Sequence, residues 1–337
     1  MIQPPPIIYD IYRGWGHIPL MKDKRVIITG GAGFIGSNIA EELSADNEVI
    51  IIDDLSSGLL QNIQHLTKRS DVSFIQGSIT DLSLLQKAFH RADYIFHQAA
   101  LASVAMSIQD PLRTNEVNIL GTLNVLVAAR DCHVKKVVLA SSCAIYGDTP
   151  TLPAREEMPL HPLSPYAVTK AAGEQYCSVF RHVYGLPTVC LRYFNVYGPR
   201  QDPKSEYAAV VPKFITAALA SRPLTIFGDG KQTRDFVFVK DVVSANVLAA
   251  EAHATGAFNI GSGRQTSVVE LANLVLKLTG RDAAPFYHPP KAGEIRHSFA
   301  DISSAREFGY SPKHNLEEGI KKTISSNGPP PGIGVCF

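Results

Sequence analysis

Between Arg25 and Ala45 the chain passes from an apolar, β-branched run, RVIIT, through Gly30, Gly33 and Gly36 directly into a helical pattern that begins at Phe34. Glycines at that spacing permit a turn tight enough for a pyrophosphate to approach the backbone N–H groups of a helix N-terminus. Alone the pattern is weak, because glycine turns are common. Its context makes it specific: a second apolar run, EVIIID, ends in Asp53, about 20 residues downstream, where a carboxylate accepts from the hydroxyls of an adenine ribose. The same charge repels a 2′-phosphate, so NAD is expected over NADP. Asp54 beside it reads as a turn or solvated residue.

The rhythm continues. VSFIQ (72–76), YIFHQ (94–98), KVVLAS (136–141) and TVCLR (188–192) alternate with helical patterns, and FNIGS (258–262) reads as a late return to the same sheet. Apolar strands separated by helices imply a parallel sheet covered on both faces. The expected fold is therefore α/β, a Rossmann-type doubly wound parallel sheet with a smaller α/β substrate-binding domain. We assign residues 20–192 plus 236–262 to the dinucleotide-binding part and 193–235 plus 263–327 to the smaller part. Residues 1–19 and 328–337, rich in proline and glycine, read as peripheral tails.

Composition removes several rivals. A chain of 337 residues, 45% hydrophobic, has room for a large core. Its net charge of +1 and pI near 7.7 offer no broad field for a nucleic acid or an anionic membrane. Cys132, Cys143, Cys177, Cys190 and Cys336 show neither CxxC nor metal-ligand spacing, so no metal site is expected and a reducing cytoplasm suits them. The sequence has no apolar run of membrane-spanning length and no secretory pattern at its start.

Two further motifs carry chemistry. SSCAIYG begins at Ser141, where a buried strand reaches the edge of the crevice in which ligands of open α/β sheets bind. SPYAVTK places Tyr166 and Lys170 four residues apart, one turn along the same helix face, so that an ammonium stands near a phenol and lowers its pKa. Either motif alone has a bland reading, a turn or a solvated helix charge. Together they describe a redox site.

These residues resemble the extended short-chain dehydrogenase/reductase superfamily and, within it, nucleotide-sugar 4-epimerases, most of all those of the UDP-N-acetylglucosamine type. The likeness runs from about Lys24 to about Ile324 through GGAGFIG, IIDDL, HQAA, NEVNILGT, SSCAIYG, SPYAVTK, LRYFNVYGPRQ and GDGKQTRDFVFVKD, with YAAVVPK and RHSFAD especially close. It implies an NAD-dependent isomerase acting on a UDP-sugar, built as a homodimer through two helices of each subunit.

The resemblance makes Tyr166 the base at the sugar 4-hydroxyl, Ser142 its proton partner and Lys170 the holder of both phenolate and nicotinamide ribose. Lowering the phenol from about 10 to about 7 would take roughly 4 kcal/mol of preferential phenolate stabilisation, from Lys170 and the oxidised nicotinamide together. Cofactor contacts are expected from Gly30, Gly33, Phe34, Ile35, Asp53, Asp54, Gly58, Ser78, Ile79, Gln98, Ala99, Ala100, Asn118, Tyr166, Lys170 and Tyr193. Substrate contacts are expected from Ser103, Ser142, Cys143, Tyr166, Asn195, Val211, Arg234, Lys291, Glu294, Arg296 and Ser298. Ser298 occupies the place where epimerases restricted to plain hexoses carry a tyrosine, so the pocket is expected to admit an N-acetyl group.

Rival activities remain at this stage. UDP-glucose and UDP-uronate 4-epimerases share the scaffold, and an NAD-binding regulator without catalysis belongs to a different class. A 4,6-dehydratase needs an Asp-Glu pair just after the active-site serine or threonine, where this chain has Cys143 and Ala144. His97, in HQAA, reads as a structural contact.

Overall fold

The apolar runs legible in the sequence form strands where expected, and their order in space creates the crevice. The computed structural model describes residues 21–203, 209–282, 284–290 and 295–326. In chain order its first elements are β1 (Arg25–Thr29), α1 (Phe34–Leu43), β2 (Glu48–Asp53), β3 (Val72–Gln76), α2 (Leu82–Ala88) and β4 (Tyr94–His97). Next come α3 (Val104–Gln109), α4 (Pro111–Asn115), α5 (Gly121–Asp131), β5 (Lys136–Ser142), α6 (Pro165–Tyr184) and β6 (Thr188–Tyr193). The later elements are β7 (Asn195–Tyr197), α7 (Val210–Leu219), β8 (Thr225–Phe227), β9 (Thr233–Arg234), β10 (Phe236–Phe238), α8 (Val239–Glu251) and β11 (Gly256–Ile260). Last are β12 (Thr266–Ser267), α9 (Val268–Thr279), β13 (Phe286–His288), α10 (Ser303–Arg306) and α11 (Leu316–Ser326).

Seven strands form one sheet in the order β11-β6-β5-β4-β1-β2-β3, with every neighbouring pair parallel. The order reverses between β1 and β4, which opens a crevice above their carboxyl ends. Alternate residues of each strand feed two cores. Val26 and Ile28 pack with Ile39 and Leu43 of α1 and Val242 of α8, whereas Ile27 and Ile95 pack with Leu85, Val125 and Phe180 of α2, α5 and α6. Each such fully buried aliphatic side chain contributes roughly 1.5–3 kcal/mol of transfer free energy. A third core joins α7, α9, β8 and β10 through Phe214, Ile226, Phe238 and Leu271, away from the sheet.

Small differences from the sequence reading have local causes. Helix α1 ends at Leu43 rather than near Ala45, where Ser44 caps it by donating its N–H to Ala40. The strand pairing of β5 with β6 runs on to Ser142 and Tyr193, one residue past each apolar run.

Candidate active site

Gly30 leaves β1 with φ +70, and a Cβ there would lie 2.5 Å from the amide nitrogen of Ala99, which follows β4. Only glycine permits the two strand ends to approach so closely at the switch point. Beyond them opens a cavity of about 330 Å³ lined by Gly30, Gly33, Phe34, Ile35, Asp53, Asp54, Ser78, Ile79, Gln98, Ala99, Ala100, Tyr166, Lys170 and Tyr193. Fourteen of the sixteen expected cofactor residues therefore share one space; Ser56, Ser57, Leu101 and Val117, which the sequence did not single out, also line it.

The other two lie behind its wall. Gly58 packs on Asp53, where a Cβ would come within 2.6 Å of Oδ1. Asn118 is buried and acts on backbone: its Oδ1 accepts from Leu101 N at 2.8 Å and its Nδ2 donates to Leu101 O at 3.1 Å and Thr169 Oγ1 at 3.0 Å. Gly58 has no side chain to offer, and that of Asn118 is spent holding the Leu101 backbone and Thr169.

The cavity suits a dinucleotide. Asp53 Oδ2 accepts from Ala32 N at 2.9 Å and Oδ1 from Leu55 N at 2.8 Å, which fixes the carboxylate and leaves each oxygen a further lone pair for ribose hydroxyls. Burial raises its pKa, and these backbone donors oppose the rise. His97 lies beneath, buried and held near pKa 3 by desolvation, with Nδ1 2.7 Å from Thr29 Oγ1 and Nε2 2.9 Å from Thr122 Oγ1. Thr122 spends its own proton on Asn118 O, so Nε2 is the protonated nitrogen. This histidine is a neutral strut.

Helix α6 presents the tyrosine and lysine. Ser164 caps its N-terminus by accepting from Ala167 N, Pro165 occupies the first turn, and Gly185 ends it with φ +68. Tyr166 thus stands in the first turn, buried, with Ser142 among the groups that act on its phenol. Lys170 lies one turn on, donating from Nζ to Ala140 O at 2.8 Å, with Nζ 5.8 Å from the Tyr166 ring centroid.

Electrostatics correct one expectation. Burial pushes the Tyr166 phenol up to about 12 against the influence of Ser142, and burial draws Lys170 down to about 8 against the attraction of Glu174. Lys170 spends its hydrogen bond on the Ala140 carbonyl, and burial outweighs the lowering by Ser142, so without a ligand the phenol stays above its ordinary value.

A second cavity, about 820 Å³, opens between β7, α7 and β8, and Asn195, Val211, Phe214 and Arg234 line it. Asn195 Oδ1 and Gln232 Oε1 are buried there without a hydrogen-bond partner among the described residues, two acceptors facing a space large enough for a nucleotide. Lys213, Arg222 and Phe286 on this wall were not singled out from sequence. Cys143, partly buried just after β5, lies within the field of Arg234, and desolvation pushes its thiol up to about 12.

Three expected substrate residues stand elsewhere. Arg296 is half exposed and forks onto Asp229, Nη1 to Oδ1 at 2.8 Å and Nη2 to Oδ2 at 2.7 Å, holding that carboxyl below its usual range. Ser103 caps α3 by accepting from Met106 N. Ser298 donates its amide to Thr233 O at 3.1 Å, next to Arg234, and lines neither cavity. Lys291 and Glu294 lie outside the described residues, as do Cys336 and both tails.

The sequence profile of the NAD dependent epimerase/dehydratase family matches residues 26–261. A UDP-glucose 4-epimerase of Mycolicibacterium smegmatis is 43% identical, over 89% of this chain and 97% of that protein. Among solved structures, a UDP-N-acetylglucosamine 4-epimerase from Methanobrevibacter ruminantium, in complex with UDP-N-acetylmuramic acid, is 42% identical with TM-score 0.89, covering 91% of this chain and 99% of that one. The UDP-glucose 4-epimerase of Thermus thermophilus, in complex with NAD, is 39% identical with TM-score 0.82, covering 90% and 98%.

Proposed function

The chain belongs to the NAD dependent epimerase/dehydratase family, and from that premise we propose that it inverts C4 of a UDP-sugar, preferring UDP-GlcNAc/UDP-GalNAc and accepting UDP-Glc/UDP-Gal. One observation carries this reading: Tyr166 and Lys170 line the dinucleotide-sized cavity together with Gly30, Gly33 and Asp53, at the end of β5 that carries Ser142. NAD, when bound, supplies the two-electron acceptor that takes hydrogen from C4 and gives it back, and its oxidised ring brings a positive charge beside the phenol. Tyr166 takes the proton of the 4-hydroxyl and later returns one to the oxygen of the 4-keto sugar, with Ser142 sharing it, so that inversion comes from the hydrogen regained by C4 on its opposite face. Lys170 holds the developing phenolate, and Arg234, with Asn195, grips the diphosphate side of the substrate.

Several features favour C4 inversion over its neighbours. Dehydration needs a carboxylate pair after Ser142, and that place holds a protonated thiol and Ala144. The intact serine, tyrosine and lysine speak against a catalytically idle regulator. Purified protein incubated with UDP-GlcNAc and, separately, UDP-Glc, with products separated by chromatography, tests the proposal. C4 epimers are expected from both, faster from the first; no product from either overturns it.

Asp53 is proposed to hold the adenine ribose, and Gly58 to leave it room. Gly58→Ala puts a methyl against Oδ1. NAD affinity is expected to fall about tenfold, near 1.4 kcal/mol, by calorimetry, with the melting temperature little changed.

A homodimer is supported by the exposed apolar face of α3, α4 and α6: Ile108, Leu112, Val168, Val179 and Val183 are between 48% and 83% exposed. A patch of this kind on a folded chain marks an interaction surface, and a second copy offers a matching one. Val179→Glu with Val183→Glu is expected to convert the dimer to monomer in sedimentation velocity. Among the described residues no helix is long and apolar enough to cross a membrane, and the cytoplasm is the proposed compartment.

A further inference from the structure

The end of β5 meets α6 at successive turns. Ala140 O accepts from Lys170 Nζ at 2.8 Å, Ser141 Oγ donates to Glu174 Oε1 at 2.5 Å, and Ser142 stands among the groups that act on the Tyr166 phenol. Spaced by four, residues 166, 170 and 174 stand above one another on one face of the helix. Glu174 is the rung that the motif does not advertise, and it is only 7% exposed. Arg192 of β6 forks onto its carboxylate, Nε to Oε1 at 2.9 Å and Nη2 to Oε2 at 2.7 Å. The remaining arm of the guanidinium, Nη1, donates to the Tyr146 hydroxyl at 2.8 Å and the Glu156 carbonyl at 3.0 Å. The register of β5 on β6 sets Ser141 opposite Arg192, which aligns guanidinium, carboxylate and lysine.

A buried ion pair is weak evidence for stability, since well-packed apolar side chains often serve as well or better. Its place one turn beyond Lys170 suggests another use. We propose that Glu174 is a positioning residue that keeps Lys170 protonated beside Tyr166, while Arg192 fixes its carboxylate and, through Ser141, the Ser142 end of β5. The role rests on the 4-epimerase reading above. The titratable and charged groups around Lys170 are Tyr166 and Glu174 on its own helix, His97 on β4, Cys143 after β5, and Arg192 and Tyr193 on β6, with Asp53 and Asp54 at the β2 end of the same cavity. Glu174 is the anion among them whose attraction opposes the desolvation of the ammonium.

The test compares wild type, E174Q and the E174Q/R192M double variant. Protein labelled with 13C at lysine Cε reports the Lys170 titration midpoint, assigned by the resonance missing from K170M, and the alkaline limb of kcat/KM gives the same midpoint through turnover. In E174Q the buried Arg192 charge is left unopposed, so the midpoint and the limb are expected to fall by about one pH unit or more. The double variant lacks both charges and is expected to lie between E174Q and wild type. A structural staple alone would lower the melting temperature of both variants without that order.

An unchanged midpoint in E174Q, or a double variant below E174Q, overturns the proposal. Should E174Q fail to fold, a double variant with the wild-type midpoint overturns it instead, and one shifted to lower pH supports it. The labelled-lysine readout stands without turnover, so failure of the 4-epimerase reading is seen separately, as wild-type protein that titrates as described but forms no epimer.

Discussion

Tyr166→Phe is expected to cut the rate of C4 inversion by at least about a thousandfold, the scale of removing a positioned acid–base group, while NAD stays bound. The side chain is buried and the substitution removes only the hydroxyl, so the ring, the helix and the cavity stay in place. Product assays on UDP-GlcNAc together with nucleotide released on heating check both halves. Full activity in the variant would sink the assignment of the base.

The two titrations give the reason for so large an effect and set a pH dependence. Burial opposes both charged forms, pushing the phenol up to about 12 and the ammonium down to about 8, so the neutral pair is favoured over the phenolate–ammonium pair before ligands arrive. The positive charge of oxidised NAD has the sign to close that gap, because it favours the phenolate. The sign for activity follows from each group. Tyr166 must be deprotonated, so the rate rises with pH through its ligand-bound pKa; Lys170 must be protonated, so kcat/KM falls as pH passes about 8. In Tyr166→Phe the rising limb is expected to vanish from the residual rate. A wild-type profile still climbing well above pH 9 would contradict the role given to Lys170.

Local signals made part of this site readable. Strands of β-branched residues, a glycine turn and a four-residue helical spacing are encoded within short windows, so β1 to β6, Gly30, Asp53, Tyr166 and Lys170 emerge from sequence alone. What depends on register or long-range pairing does not. Glu174 acquires meaning only when Ser141 and Arg192 pair across β5 and β6. The wall of the larger cavity needs β8 beside β13, a pairing between segments far apart in the chain that brings Phe227 and Phe286 together. The Arg296 pair with Asp229, 67 residues away, is another contact that no local pattern announces. So is the hydrogen bond of Lys170 to Ala140 O, since four-residue spacing reports that the ammonium is near Tyr166 but not which acceptor it takes.

Substrate choice turns on the same kind of long-range contact. Ser298 is held through its amide to Thr233 O, next to Arg234 on the wall of the larger cavity, and on the proposed reading a bulky residue there takes the space beside the sugar. Ser298→Tyr is expected to lower kcat/KM for UDP-GlcNAc about a hundredfold, near 2.7 kcal/mol, and for UDP-Glc no more than about threefold. The asymmetry matters more than either number. A ring filling the space of the C2 substituent excludes the acetamido group and leaves a hydroxyl room, whereas a ring that merely disturbed Cys143 and the end of β5 would slow both substrates alike. Parallel kinetics on the two substrates decide between these outcomes. Equal losses would remove Ser298 from the specificity pocket and, with it, the ground for ranking the N-acetylated pair first.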